Sequence, residues 1–195
     1  MSNATTEPHE GGHSPWGRIQ DVEPIVKDVW SVSTPGHGGL KLSRRYNARM
    51  PAYMRSPGGW YEEDIRWSLP VLVFAAEFAD QPKLVQAAHE TAKNWHPVWY
   101  ERFTGHAVPL AESSTLRRRA FERANEDNWI GRSARSIDGG EVRVVAVRGC
   151  NRQVGDPERT YIVAGDRYDA RSPYGYIIDE SLDESLDDAI DKRTA

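Results

Sequence analysis

The sequence has little cysteine, no long apolar run and no large excess of one charge. Its single cysteine, Cys150, excludes an internal disulfide. No apolar stretch reaches the roughly 20 residues that a membrane-spanning helix needs, and the N-terminus lacks the basic and apolar regions of a signal peptide. A net charge of -4 gives the chain no polycationic character. We therefore expect a cytoplasmic protein that can bind nucleic acid or an anionic membrane only through a local basic patch.

Aromatic side chains, in contrast, are abundant. Seven Trp and eight Tyr supply large apolar surfaces to a chain whose mean hydropathy is only -0.68. At 195 residues the chain is long enough for one core and short for two ordinary domains. We predict a flexible arm over residues 1–14, a single domain over 15–179, and an acidic tail over 180–195 that could form a terminal helix.

Local patterns predict an α+β fold. β-branched and aromatic residues predict strands, and three- and four-residue apolar spacing predicts helices. Strands are expected at 29–33, 40–42, 141–147, 159–163 and 174–178, and helices at 44–49, 60–78, 82–94, 97–104 and 112–130. The predicted architecture is a helical middle packed against an antiparallel sheet formed by N-terminal and C-terminal strands.

The most suggestive single residue is His37, which lies between glycines in a turn at residues 34–39. Glycine lets a ligand approach the backbone closely, and an exposed imidazole can act as a general acid or base or bind phosphate. A histidine that only bonds within its own turn explains the same pattern. Both interpretations stay open at this point.

Three acidic residues, Glu62, Glu63 and Asp64, follow a second glycine turn. We predict that they occupy the first turn of a helix beginning at Trp60, where the helix dipole favours carboxylates. They could also form an acid/base cluster with His37 if the two glycine turns meet in space. His37, Glu62, Glu63 and Asp64 are therefore the candidate catalytic residues.

The candidate binding residues are aromatic or basic: Trp60, Tyr61, Arg44, Arg45, Arg117 and Arg118. The basic face from Arg117 to Arg123 could hold nucleic-acid phosphates, with Trp129 available for stacking. Acidic residues interleave with these arginines, so a solvent-exposed, salt-bridged helix face explains them as well.

The sequence predicts no metal site and identifies no cofactor. His89 and His96 lie seven residues apart, whereas metal-binding helices usually place their ligands three or four residues apart.

Several stretches carry a resemblance to a known family: VSTPGHGGLKLS, then MPAYMR and GGWYEED, and later YIVAGDRYDARSPYGYIID. On these stretches the chain resembles an uncharacterised domain of unknown function found in bacteriophages and in plasmids or other mobile elements. The resemblance covers most of residues 15–179. It implies a phage or mobile-element origin and action in the cytoplasm of a bacterial host, and it implies no particular activity.

Two functions of different class follow. The first is a phage accessory protein that binds a host or phage macromolecule for counter-defence or host modulation. We rank a protein partner above a nucleic acid. This hypothesis needs exposed tryptophan or an apolar surface patch, because such side chains anchor interfaces. The second is a small hydrolase or transferase acting on a nucleotide or nucleic acid through His37 and the acidic residues. It needs the imidazole within hydrogen-bond or single-water reach of a carboxylate. We rank the first above the second.

Overall fold

A computed structural model of the chain describes residues 7–150 and 155–186. The chain divides into two compact units, Met1–Leu116 and Arg117–Ala195. Each unit contains its own cluster of buried apolar side chains. The single domain predicted over residues 15–179 therefore spans both units, and aromatic residues contribute to the core of each.

The first unit is built on antiparallel strands. A hairpin of β1 (His13–Ser14) and β2 (Gly17–Arg18) comes first. A four-stranded sheet follows, with its strands side by side in chain order: β3 (Asp21–Val26), β4 (Val29–Ser33), β5 (Gly38–Leu42) and β6 (Trp60–Glu62).

The segment before this sheet, part of which the sequence predicts as a flexible arm, makes backbone hydrogen bonds from residue 9 onward. The backbone N–H of Gly11 donates to the carbonyl of Ile19, and the N–H of Ile19 donates back to the carbonyl of Gly12. Ile19 is buried, so it ties the segment to the unit. Residues 1–6 lie outside the described residues.

Helices cover the remainder of the first unit. The short α1 (Arg44–Arg49) begins as the sequence predicts, because the Ser43 hydroxyl accepts a hydrogen bond from the backbone N–H of Tyr46. Three helices follow β6: α2 (Ser68–Val73), α3 (Pro82–Trp95) and α4 (Pro97–Thr104). α5 (Ser114–Ala124) spans the boundary between the units.

The helix start predicted at Trp60 is wrong. Residues Trp60–Glu62 form β6 and pair with β5, with Tyr61 opposite Leu40. Successive strand side chains point to opposite faces, and Tyr61 is fully buried while its neighbours Trp60 and Glu62 are half-buried. Glu62, Glu63 and Asp64 are consequently not the first turn of a helix, since the next helix begins only at Ser68. Pairing with β5 prevails over the acidic helix-start signal here.

The second unit contains another four-stranded antiparallel sheet and a short helix. Its elements are β7 (Trp129–Ile137), β8 (Glu141–Arg148), β9 (Glu158–Ala164), α6 (Gly165–Asp169) and β10 (Glu184–Ser185). The sheet order is β10-β9-β8-β7.

Three predictions for the second unit need correction. The helix predicted over 112–130 ends at Ala124, and β7 begins at Trp129. The strand predicted over 174–178 is not one, because its sheet-type pairings among the described residues are two isolated bridges, Ile177 with Ile130 and Gly175 with Ser172. Part of the acidic tail forms β10, and the helix predicted there falls largely on residues 187–195, outside the described residues.

The α+β class is confirmed: the described residues form six α-helices and three antiparallel sheets. However, the N-terminal and C-terminal strands belong to separate sheets instead of one shared sheet. Each set pairs mainly with its immediate neighbours in the chain, which is the common outcome for consecutive strands. No described helix has the length and apolar character that crossing a membrane requires.

Candidate functional site

The turn between β4 and β5 places His37 beside Glu63. Nδ1 of His37 lies 4.0 Å from Oε1 of Glu63. The pairing of β5 with β6 causes this proximity, because Gly39 lies opposite Glu62 and the backbone N–H of Glu63 donates to the carbonyl of Gly38. The turn that carries His37 and the start of the acidic segment therefore lie side by side.

The other two acidic residues do not join this pair. A carboxylate oxygen of Glu62 accepts a hydrogen bond from the backbone N–H of Asp64 at 2.5 Å. In the part of the chain that the structure describes, neither Glu62 nor Asp64 forms an ion pair with His37. The site therefore contains one histidine–carboxylate pair and not the cluster of four residues that the sequence suggests.

Solvent reaches the pair freely, since the His37 side chain is 59% exposed and the Glu63 side chain 50% exposed. An exposed ion pair contributes only about 0–1 kcal/mol to stability. The backbone of the turn is fixed independently by Thr34, whose hydroxyl donates to the carbonyl of His37 and accepts from its N–H. The imidazole can thus be reached by a ligand without disturbing the turn.

Apart from this pair, the first unit has a concave surface between the N-terminal segment and α1. Its cavity is about 1160 Å³, and it is lined by residues from three segments, 7–19, 41–48 and 58–60. We call it the basic groove, after the side chains that line it: His9, His13, Lys41, Arg44, Arg45 and Trp60. Among the described residues lining it, Glu7 supplies the one carboxylate.

One wall of the basic groove is a lysine held against a tryptophan. The Lys41 ammonium donates to the carbonyl of Gly58 at 2.5 Å and lies 4.9 Å from the centre of the Trp60 ring. Trp16 packs edge-on against Trp60 with ring centres 5.7 Å apart. Burial lowers the pKa of Lys41, because a partly buried ammonium loses hydration. A bound anion would offset that cost, so this wall favours negative ligands.

Two adjacent arginines at the start of α1 also line the groove. Arg45 lies 3.7 Å from a carboxylate oxygen of Asp28, but its side chain remains 75% exposed. Arg44 is exposed, and within residues 7–150 and 155–186 it has no hydrogen-bond or ion-pair partner. Its guanidinium can therefore bind a ligand without first breaking an internal contact.

Charge is concentrated at this groove in a chain that is acidic overall. Lys41, Arg44 and Arg45 face one carboxylate there, whereas the whole chain carries a net charge of -4. The groove is the kind of local basic patch that anion binding by this chain requires.

The structure separates the predicted binding residues into three groups. Trp60, Arg44 and Arg45 line the basic groove together. Tyr61 lies in the core, where its hydroxyl donates to Asn47 at 2.7 Å and accepts from the N–H of Ser56, so it supports β6 and does not contact solvent. Arg117 and Arg118 lie on the part of α5 that belongs to the second unit.

Sequence reasoning missed three residues of the groove, His9, His13 and Lys41. The two histidines were assigned to a flexible arm, because no local signal shows that Ile19 anchors this segment. Lys41 lies between Leu40 and Leu42 in the predicted strand 40–42. In a strand that alternation does place Lys41 on the face opposite two buried leucines, so the signal was present.

Exposed aromatic residues, which the binding hypothesis needs, are present on the first unit. The Trp95 side chain is 47% exposed, and Phe103 is exposed on α4. Trp16 and Trp60 are half-buried.

No group of three or more His, Cys, Asp or Glu residues suited to a metal ion occurs within the described ranges.

The first unit is therefore an α+β domain with a basic, aromatic groove and, elsewhere on its surface, a histidine–carboxylate pair. Residues 9–126 match the model of the family described as "Domain of unknown function (DUF7007)", and because this match covers more than half of the chain, the protein belongs to that family. The match includes the basic groove from His9 onward and the His37–Glu63 pair, and it ends before the stretch YIVAGDRYDARSPYGYIID. Neither a search of curated proteins nor a search of solved structures found a match.

Proposed function

We propose that the protein is a binding protein that holds an acidic segment of a partner protein in its basic groove. The observation that carries the proposal is the convergence of Lys41, Arg44 and Arg45 on one cavity beside Trp60. Complementary charge selects the partner and steers association, and a tryptophan at the groove supplies the apolar anchor typical of protein interfaces.

The charge balance favours an acidic protein segment over a nucleic acid. Nucleic-acid binding depends on many phosphate contacts by Lys and Arg, whereas the groove offers three such side chains and also contains Glu7. The net charge of -4 opposes the approach of a densely charged polyanion. A peptide with a few carboxylates and an apolar side chain fits both the cations and Trp60.

We further propose that the protein has a phage or mobile-element origin and acts in the cytoplasm of a bacterial host, as an accessory, counter-defence or host-modulating factor. Support comes from the resemblance of the Gly-His-Gly-Gly turn and the Trp-Tyr-Glu-Glu-Asp stretch to a domain of bacteriophages and mobile elements. An acidic segment of a host or phage protein would then be the natural ligand of the groove.

The double variant Arg44→Ala/Arg45→Ala tests the groove. We expect it to weaken binding of a short fluorescein-labelled peptide rich in Asp and Glu with one Leu by about tenfold or more, because two charge-assisted contacts are lost. Fluorescence anisotropy at low and high salt measures the affinity. Lys27→Ala/Lys83→Ala is the matched control, since both lysines are exposed residues of the same unit that do not line the groove.

If the control pair weakened peptide binding equally, the attraction would be diffuse and electrostatic, and the peptide would not be bound in the groove. A single-stranded oligonucleotide could bind more tightly than the peptide and depend equally on Arg44 and Arg45. That result would identify a nucleic acid, and not an acidic protein segment, as the ligand of the groove. Thermal denaturation of both double variants establishes that they are folded.

A second candidate function is a small hydrolase or transferase on a nucleotide or nucleic acid, and one observation favours it. Oε1 of Glu63 lies 4.0 Å from Nδ1 of His37, which is longer than a hydrogen bond but within the reach of one bridging water. The high exposure of both side chains provides little exclusion of water, and for this reason we rank the binding function first.

If this second function exists, His37→Ala is expected to reduce hydrolysis by about 10²-fold or more, because a general base typically contributes 10²–10⁴-fold. Phosphate release from a panel of nucleoside triphosphates and oligonucleotides measures the rate. His106→Ala, at another exposed histidine of the first unit, should leave the rate unchanged. Hydrolysis that survives His37→Ala, or none in the wild type, rules out this function for the substrates tested.

A further inference from the structure

The second unit contains a separate concave site built from arginines and tyrosines. Its cavity is about 600 Å³. We call it the arginine–tyrosine pocket, defined by five of its lining residues: Arg118, Arg132, Tyr168, Arg171 and Tyr174. Arg118 lies on α5, Arg132 on β7, Tyr168 on α6, and the other two on the segment after α6. Residues from three separate stretches of the chain are therefore brought to one cavity.

Two of the three guanidinium groups are available to a ligand. Arg118 is exposed, and among the described residues it has no hydrogen-bond or ion-pair partner. Within residues 7–150 and 155–186, the Arg132 side chain makes one hydrogen bond, a long one of 3.4 Å to the carbonyl of Cys150. Arg118 and Arg132 both line the pocket, so one ligand can contact both guanidinium groups.

The third arginine is partly satisfied inside the protein. Arg171 donates to the carbonyl of Tyr168 at 3.1 Å, and it lies 3.7 Å from a carboxylate oxygen of Asp169, whose side chain is 85% exposed. Its guanidinium also lies 4.4 Å from the centre of the Tyr168 ring. Asp169 also lines the pocket and offsets the positive charge of Arg171, so Arg171 is less free to bind a ligand than Arg118.

Tyr174 presents an aromatic ring at the same pocket. A tight turn holds it, in which the Ser172 hydroxyl accepts from the backbone N–H of Tyr174 and the N–H of Gly175 donates to the carbonyl of Ser172. Phe121 packs against the ring at 5.7 Å, and the Arg118 guanidinium lies 6.0 Å from its centre. The ring remains half-buried, so its position is fixed while part of it faces solvent.

We propose that the arginine–tyrosine pocket binds a nucleoside phosphate, either as a free nucleotide or as one unit of a single-stranded nucleic acid. Arg118 and Arg132 hold the phosphate, and the base stacks on Tyr174. Guanidinium groups suit phosphate oxygens because of their fixed donor geometry, and stacking on tyrosine tolerates any base. This site lies in a different unit from the basic groove, and its ligand class does not depend on the proposed acidic partner.

The chemistry of the pocket favours a nucleoside phosphate over an acidic peptide. A carboxylate would satisfy the arginines but leave the tyrosine ring without a planar partner. The cavity also falls in the size range of small-ligand sites, about 300–1,000 Å³. Inorganic phosphate alone would occupy only the arginine side of the pocket.

The experiment uses the full chain and four probes: adenosine monophosphate, inorganic phosphate, a short fluorescein-labelled oligo(dT) and a labelled acidic peptide. Calorimetry and anisotropy measure the affinities. Arg118→Ala/Arg132→Ala is expected to weaken nucleotide or oligonucleotide binding by about tenfold or more. Arg119→Ala is the matched single-charge control, because Arg119 is the exposed neighbour on α5 that does not line the pocket.

Variants of Tyr174 test whether the base of the nucleotide stacks on its ring. Tyr174→Leu should weaken binding by about tenfold, whereas Tyr174→Phe, which keeps the ring, should bind like the wild type. Binding of adenosine monophosphate comparable to that of oligo(dT) identifies a free nucleotide, and much tighter binding of oligo(dT) identifies a single strand. Thermal denaturation confirms that each variant is folded, and Arg44→Ala/Arg45→Ala should leave this binding unchanged.

Four results would overturn the proposal. The first is that neither nucleotide probe binds at millimolar concentration, and the second is that Arg119→Ala loses as much affinity as Arg118→Ala/Arg132→Ala. The third is that inorganic phosphate binds as tightly as the nucleotide and that Tyr174→Leu has no effect. The fourth is that the acidic peptide binds more tightly than the nucleotide probes. Loss of peptide binding to the basic groove, in contrast, would leave this proposal intact.

Discussion

Replacing Gly39 with alanine is expected to destabilise the first unit by about 3 kcal/mol or more. Gly39 has a φ of +154°, which side-chain-bearing residues rarely adopt, and an added Cβ would overlap the carbonyl oxygen of Tyr61 and the ring of Trp16. The substitution would therefore push β6 away from β5 and disturb both the His37–Glu63 pair and the Trp60 wall of the groove. Urea denaturation followed by tryptophan fluorescence measures the loss.

Gly36→Ala is the control for this prediction. Gly36 belongs to the same turn, but an added Cβ there would meet no atom within 4 Å, and its φ is not in the positive range. We expect its denaturation midpoint to stay close to that of the wild type. Equal stability of the two variants would mean that β5 and β6 do not pack as described.

Asp183→Ala is expected to destabilise the second unit by about 3–5 kcal/mol, which is the usual result of removing one partner from a buried ion pair. The Asp183 carboxylate is fully buried and accepts hydrogen bonds from Arg167 at 2.7 Å and from the backbone N–H of Asp179 at 2.8 Å. Tyr176 also donates to it, at 3.0 Å. Without Asp183, the Arg167 guanidinium, the Tyr176 hydroxyl and the backbone N–H of Asp179 would each lose this acceptor.

The protonation of Tyr176 supports this network. Burial, and then the hydrogen bond and charge of Asp183, raise the pKa of Tyr176 to about 12, so its hydroxyl remains a donor at neutral pH. Asp183→Asn keeps an acceptor but not the charge, and its destabilisation should be intermediate. Asp169→Ala removes an exposed carboxylate and should change the unfolding midpoint little. If Asp183→Ala unfolds at the same urea concentration as Asp169→Ala, the network does not stabilise the unit.

Elements with strong local signals were predicted almost to the residue. The strand Val29–Ser33 follows from its β-branched and aromatic content, and α1 follows from the Ser43 cap together with the stop at Pro51. Prolines at the first helical position likewise mark the starts of α3 and α4. These signals lie within a few residues of the element that they define.

Elements that depend on distant pairing were not predicted. β6 forms because β5 offers it a hydrogen-bonding edge, and no local pattern around Trp60 reports that edge. β7 was assigned partly to a helix, although Trp129 and Ile130 pair with Arg148 and Val147 of β8. In both places tertiary pairing decides between competing local preferences.

The candidate site shows the same division. The approach of His37 to Glu63 was expected only if the two glycine turns meet, and the β5–β6 register provides that meeting for Glu63 alone. Arg44, Arg45 and Trp60 were selected individually from composition. Their common cavity depends on a docked N-terminal segment that the sequence does not predict.

Hydrogen–deuterium exchange of the full chain, with and without a saturating acidic peptide, tests the central claim most directly. If the peptide binds in the basic groove, protection from exchange increases in residues 9–13, 41–48 and 58–60, and Arg44→Ala/Arg45→Ala removes this increase. Peptide binding that leaves these three segments unchanged while protecting another surface would contradict the groove as the binding site.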